Sequence, residues 1–204
     1  MSRLISIIAI IGPTGVGKTR LGVKVASAVD GEVISADSIQ VYRDCPIMVA
    51  QVTQEEMKGY PHHLVNYLDV ADEPVDITRD VIQCIKSIHS RGPVPIICGG
   101  STSLLEPLLF HPFVQKQRLL VVVLNSNLET IAKICNQRID KMMKDRLLDE
   151  VKHLYHLERQ HGRFEDLTRC GAWKSIGYPE LRNWCCAESA EESEKLLREG
   201  TRLM

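Results

Sequence analysis

The stretch from Ile5 to Thr19 limits the folds open to this chain more than any other. Its first half, Ile5-Ser6-Ile7-Ile8-Ala9-Ile10-Ile11, is apolar and rich in β-branched residues, so it reads as a buried strand. The strand runs straight into Gly12-x-x-x-x-Gly17-Lys18-Thr19, the spacing of a phosphate-binding loop. Gly12, Gly15 and Gly17 admit backbone angles that a side chain would block, and the freed N–H groups turn toward phosphate oxygens. A helix starting near Lys18 aims its positive end at the same place. Lys18 adds a mobile charge, and the Thr19 hydroxyl suits a Mg²⁺ that bridges phosphates. The candidate phosphate-binding set is therefore Gly12, Thr14, Gly15, Val16, Gly17, Lys18 and Thr19. A strand before the loop and a helix after it argue against a chance glycine turn. The loop implies a bound di- or triphosphate and leaves its fate open.

At 204 residues, 44% of them hydrophobic, the chain suits one large domain or one domain with a small appendage. A net charge of -1 supplies no basic field of the kind that announces a nucleic-acid binder. The cysteines at 45, 84, 98, 135, 170, 185 and 186 form no Cys-x-x-Cys pair, and they read as reduced thiols of a cytoplasmic protein. The N-terminal apolar run leads into the phosphate loop instead of a small-residue cleavage site, which argues against export. No stretch is long and apolar enough to span a bilayer. Arg202-Leu203-Met204 falls inside a helical pattern without a stop signal, so a longer natural chain is expected.

Farther along, Glu32 to Ala36 reads as a second strand that delivers Asp37 at its carboxyl end, where ligands sit in open α/β sheets. Asp37 is then expected to face the phosphate loop, as a ligand-contacting or catalytic carboxylate, a metal-holding one, or a helix N-cap. Ser38 and Gln40 follow in the same crevice as candidate substrate contacts. A short helix is expected over Gln54 to Lys58. His62 and His63, adjacent in an extended segment, point to opposite sides and make a poor chelate, so they read as buried or capping histidines. Val70 to Thr78 reads as an acidic mobile segment, and Arg79 to Ser90 as an amphipathic helix. Val94 to Cys98 is the next buried strand, closed by Gly99-Gly100-Ser101-Thr102-Ser103, a second loop at a carboxyl strand end. Arg118 to Leu124 is the most apolar strand. One long helix is expected from about Asn127 to Arg159, with Ile131, Ile134, Ile139, Met142, Leu147 and Val151 inward. Its charged residues read as a solvated face, with Arg138 singled out as the one that can reach phosphates from near the helix start. Gly162 to Thr168 reads as a connection, Leu181 and Trp184 as packing residues, and Glu188 to Met204 as a polar amphipathic helix.

Strands thus alternate with helices over connections long enough for crossovers. That predicts an α/β fold, a doubly wound parallel sheet of the P-loop NTPase type flanked by helices. The reading is a single domain over 1–204 with a helical portion at 160–204.

Six stretches in order carry a resemblance: Gly-Pro-Thr-Gly-Val-Gly-Lys-Thr (12–19), Ser-Ala-Asp-Ser-Ile-Gln-Val-Tyr (35–42), Pro-His-His (61–63), Gly-Gly-Ser (99–101), Arg-Ile-Asp-Lys-Met (138–142) and Trp-Lys-Ser-Ile-Gly-Tyr-Pro-Glu (173–180). Together they resemble the isopentenyltransferases, which move a dimethylallyl group from its diphosphate to the N6 amine of adenine, either in tRNA or in a free nucleotide for cytokinin synthesis. The resemblance implies that the phosphate loop holds the donor's diphosphate, with Lys18, Thr19 and Mg²⁺ neutralising a leaving group and Arg138 adding charge to it. It implies that Asp37 accepts a proton from the adenine amine. Ser101 would sit near the bridging oxygen, with Thr102 as a neighbouring contact.

The tRNA enzymes commonly carry a helical insertion between the Gly-Gly-Ser/Thr loop and the Arg-Ile-Asp helix, and only Leu104 to Asn136 intervene here. Val49-Ala50-Gln51 also stands where those enzymes often have Thr-Asn/Ala-Lys. With no basic excess either, the sequence favours a free adenine nucleotide as acceptor, AMP above ADP or ATP, and ranks tRNA second. A small-molecule kinase and a non-catalytic nucleotide-binding module are the competing classes.

Overall fold

The computed structural model describes residues 6–161 and 170–204. These gather into two compact units. One contains the chain up to Val41, Val52–Val65 and Pro74–Cys135; the other contains Tyr42–Gln51, Asn66–Glu73 and the chain from Asn136 on.

The first unit is built on β1 (Ile7–Ile11), β2 (Gly31–Ala36), β3 (His62–His63), β4 (Val94–Gly99) and β5 (Leu119–Val123). All pairs are parallel, in the order β3-β2-β4-β1-β5. Side chains alternate across the strands, so each strand feeds two cores. Ile7, Ala9, Ile34 and Ile97 pack under α3 (Ile77–Arg91), α4 (Thr102–Leu109) and α5 (Pro112–Gln115). Ile8, Ile10, Val33 and Ile96 pack on the other face with Ala26 of α1 (Lys18–Val29). Helices on both faces make this the expected doubly wound sheet. The short α2 (Gln54–Met57) starts at a capping box between Thr53 and Glu56.

The most apolar strand turns out to be an edge. Among the described residues β5 pairs only with β1, and Val123 is 67% exposed. Apolar content predicted a strand correctly, but it does not say which strand ends the sheet. The Val70 to Thr78 segment is also better fixed than expected. Val70 is buried, and Asp76 caps α3 by accepting from the Arg79 N–H at 2.9 Å.

The long helix expected to Arg159 is two helices, α6 (Leu128–Lys144) and α7 (Leu147–His161). The break falls at Arg146, whose φ of 75° is left-handed. α6 buries none of its residues fully, whereas Leu147, Val151 and Leu154 are wholly buried. Redirecting the chain at Arg146 lets α7 turn its own apolar stripe inward, which a continuous helix in the register of α6 does not do.

The second unit closes around α7. Trp173 is fully buried and donates its indole N–H to the Leu154 carbonyl at 3.0 Å. Glu158, also fully buried, accepts from the Tyr178 hydroxyl and from Arg182 Nε at 2.8 Å. The packing tryptophan is therefore Trp173, while Trp184 is half-buried with Lys152 Nζ 4.8 Å from its ring centroid. Leu181, in α8 (Tyr178–Leu181), is fully buried as expected, and α9 (Ala190–Leu203) follows. The connection read over Gly162 to Thr168 lies outside the described residues. Among the described residues no cysteine is bridged and no helix is long and apolar enough to cross a membrane.

Candidate active site

The phosphate loop joins the carboxyl end of β1 to α1. Gly12 has φ 152°, and a Cβ there would run into the Leu124 carbonyl oxygen. Gly17 stands at the N-cap of α1 with φ 87°, and no side chain caps that helix end. Its first N–H groups are therefore available to an anion, with the helix dipole behind them. Lys18 folds back along the loop, donating to the Gly12 carbonyl at 2.9 Å and the Pro13 carbonyl at 2.7 Å. The 99–103 loop lies against it: a Cβ on Gly100 would be 2.9 Å from the Gly12 carbonyl oxygen and 3.1 Å from Lys18 Nζ.

Lys18, Thr19, Ser35, Asp37, Gln40 and His62 line one cleft on the α1 face of the sheet. Val33, Val52, Cys98 and Gly99 complete its wall around about 30 Å³ of space. Val33, Ser35 and Asp37 are alternate residues of one strand and its extension, so they share this face. Asp37 is not a helix N-cap. It makes a local turn in which its Oδ1 accepts from the Ile39 N–H at 3.0 Å, and no helix starts between it and Gln54. Ser35 Oγ donates to Gln40 Oε1 at 3.1 Å, which ties the cleft floor to the turn after Asp37.

Other expected residues sit farther out. Thr14 is exposed, Val16 and Ser38 are half-buried, and none of the three is in the cleft wall. Ser101 stands at the N-cap of α4, its hydroxyl 2.8 Å from that of Ser103, and Thr102 is exposed. Arg138 is half-buried on α6 in the second unit and is not among the cleft residues.

The two histidines diverge as an extended segment requires, but only one is purely internal. His63 Nε2 meets Glu32 Oε2 at 2.6 Å, and Glu32 is also gripped by both Nη atoms of Arg91. That guanidinium holds the Glu32 carboxyl below the usual range, with burial opposing it and His63 assisting. His62 instead enters the cleft, a place the sequence reading did not give it. No local sequence signal marks it; pairing of the segment with β2 sets His62 beside Val33. Cys98 lines the cleft as well, but burial pushes its thiol up to about 12, so it is a packing residue rather than a nucleophile.

The donor set bears on Mg²⁺. Among the described residues no three His, Cys, Asp or Glu side chains converge on a metal position. A single hydroxyl beside a phosphate cradle accords with how Mg²⁺ is held in such loops, through substrate oxygens and water with few protein ligands. Thr19 is the residue that would hold it.

Comparison with known proteins adds four findings. A family model described as IPP transferase matches residues 40–114 and 111–203. A bifunctional cytokinin biosynthesis protein of Fusarium pseudograminearum is 36% identical over 194 residues, covering 95% of this chain. The chain spans 40% of that protein's length. A tRNA dimethylallyltransferase of Streptococcus uberis is 30% identical over 265 residues, covering 99% of this chain and 85% of its own length. Among solved structures, the full-length tRNA isopentenylpyrophosphate transferase of Bacillus halodurans superposes with a TM-score of 0.76 at 26% identity, covering 97% of this chain and 84% of that one.

Proposed function

This chain belongs to the IPP transferase family, and we propose that it transfers a dimethylallyl group from dimethylallyl diphosphate to the N6 amine of an adenine. The observation that carries the reading is the single cleft that brings Lys18 and Thr19 of the phosphate loop together with Asp37 of β2's carboxyl end. In the reaction the amine nitrogen attacks the allylic carbon. The C–O bond breaks, and the diphosphate leaves with the electron pair. Lys18 and the N–H groups opening α1 stabilise the charge that grows on the leaving group, where fixed positive charge lowers the barrier most. Asp37 accepts the proton that the amine gives up as the C–N bond forms. Mg²⁺, when bound at Thr19, supplies further neutralisation of the diphosphate. Ser101 and Arg138 are the next candidates to contact that diphosphate.

For the acceptor, the relatives' names reverse the ranking read from sequence. They weigh toward tRNA, the substrate named for the Streptococcus and Bacillus proteins. A specific observation keeps the free nucleotide as a second reading. The Streptococcus match stretches over 265 residues for a chain of 204, so that relative carries insertions absent here. The Fusarium match covers 95% of the chain in 194 residues and needs almost none. The test is incubation with dimethylallyl diphosphate, Mg²⁺ and either unmodified tRNA or AMP, ADP and ATP, followed by mass analysis for N6-prenylated adenine. Product on tRNA that falls steeply with salt supports the first acceptor. Product on a nucleotide supports the second, and no product on any of them overturns the reading.

A further inference from the structure

β3 consists of His62 and His63 alone, and its register with β2 sets His62 against Val33 and His63 against Ile34. Neighbours in a parallel pair share a face, so His62 joins Val33 on the α1 side and His63 joins Ile34 on the other. His63 is satisfied there by Glu32. His62 is satisfied at one end only. Its Nδ1 lies 2.9 Å from the Tyr60 carbonyl oxygen, which can only accept, so Nδ1 carries the proton. Burial, with His63 beside it, pushes the imidazole below its ordinary value and keeps the ring neutral near pH 7. Nε2 is then a bare lone pair. It is buried, has no partner among the described residues, and belongs to a side chain lining the cleft with Lys18 and Asp37.

A buried acceptor without a donor is a cost that folded proteins rarely carry without a use. The ligands of the proposed reaction narrow what meets it. Diphosphate oxygens only accept hydrogen bonds, and the allyl group has no donor to offer. The adenine amine has two N–H groups, one lost in the reaction and one kept in the product. We propose that His62 is a further substrate-contacting residue of this cleft, its Nε2 accepting a hydrogen bond from the adenine N6–H that the product retains. The inference rests on the prenyl-transfer reading of the same cleft. Asp37 then takes the departing proton while His62 holds the other, and the nitrogen lone pair is aimed between them at the donor carbon. The same contact selects adenine over a purine that lacks the amine, because that purine leaves Nε2 unpaired.

Two substitutions separate this role from a structural one. His62→Asn keeps an N–H near the position of Nδ1 for Tyr60 and removes the cleft acceptor. His62→Gln gives up the Tyr60 bond and carries an amide oxygen toward the position of Nε2. The acceptors are AMP and an anticodon stem–loop RNA with adenosine at the reacting position; the same molecules with purine riboside there, which have no amine to prenylate, serve as competitive inhibitors. His62→Asn should melt as the wild type does and bind dimethylallyl diphosphate unchanged. Its KM for the adenine acceptor should rise at least about tenfold, and the preference for adenine over purine, read as the purine analogue's inhibition constant divided by that KM, should shrink by a similar factor. His62→Gln should melt lower yet recover part of that preference. Wild-type KM and wild-type preference in His62→Asn, with His62→Gln the impaired variant, would overturn the role of His62 and leave the prenyl-transfer reading standing. A wild-type protein that prenylates neither AMP nor the adenosine-containing RNA would overturn both.

Discussion

Asp37→Asn isolates the chemistry assigned to Asp37 because the structure says what the change leaves intact. The Asp37 side chain has one local task, accepting the Ile39 N–H at 3.0 Å. An asparagine oxygen accepts the same bond, so the turn survives with a neutral acceptor in place of a charged one. That exchange costs about 0.5–1.5 kcal/mol of stability. The catalytic loss should be much larger. A general base contributes roughly 10²–10⁴-fold, which at about 1.36 kcal/mol per decade is about 2.7–5.4 kcal/mol of barrier. The two effects separate in three measurements: thermal melting, a titration with dimethylallyl diphosphate, and single-turnover formation of N6-prenylated adenine. Melting and donor binding should stay near wild type while turnover falls at least about a hundredfold. Asp37→Ala removes the turn bond as well and should add a loss of stability to the same loss of rate. Single-turnover rates for the Asn variant within about threefold of wild type would remove Asp37 from the proton-accepting role.

Lys18→Ala should act on binding as well as rate, since it deletes the charge and frees the Gly12 and Pro13 carbonyls it holds; donor affinity should fall roughly 10–10²-fold by titration. Unchanged affinity would place the diphosphate elsewhere. Gly100→Ala forces a methyl against the Gly12 carbonyl oxygen and Lys18 Nζ, so it should cost about 1–3 kcal/mol by urea unfolding and weaken donor binding. A variant as stable and as tight as wild type would show that the two loops are not pressed together. Glu32 should contribute a stretch of acid sensitivity. Its carboxyl is depressed in the folded chain, chiefly by Arg91, so its stabilisation is present above the unfolded value of about 4.3 and is lost as pH falls through the lower folded value. Urea midpoints measured from about pH 6 downward should fall less steeply below about pH 4 in Glu32→Gln, and identical slopes would refute the assignment.

The parts of the fold that could be read from sequence are those set by local pattern. The phosphate loop, the strands over Ile7–Ile11 and Val94–Gly99, and the helix over Ile77–Arg91 each follow from period and punctuation within one segment. What escaped depends on distant partners. Nothing in Arg118 to Leu124 says that the strand pairs on one side only. Nothing near Arg146 announces a break, since Leu147 and Val151 continue a helical spacing; the reason for the break is the burial of α7's own stripe in the second unit. The cleft divides the same way. Lys18, Thr19 and Asp37 carry their chemistry in their motifs, and the structure places all three on its wall. His62 gains its place only through the register of a two-residue strand with β2.

That contrast bears on how the six recurring stretches divide between chemistry and framework. Trp173-Lys174-Ser175-Ile176-Gly177-Tyr178-Pro179-Glu180 is as long as any of those after the phosphate loop, yet its polar groups are largely used up inside the second unit. The Trp173 indole N–H goes to Leu154, the Tyr178 hydroxyl to Glu158, and Lys174 Nζ to Glu73 at 2.7 Å. Glu180 accepts from the Gly177 N–H at 2.7 Å. A side chain whose hydrogen-bonding capacity is met within the fold has little left for a substrate, and its removal is felt as lost stability. Pro-His-His, one of the shortest stretches, ends differently. It supplies the buried, unpartnered Nε2 of His62 at the wall of the cleft. Recurrence in sequence therefore does not sort chemical residues from structural ones in this chain. Where an unmet polar atom sits does: Ser175 Oγ of the tryptophan segment is also buried without a partner among the described residues, but it is not among the cleft residues, whereas His62 lines the cleft with Lys18 and Asp37.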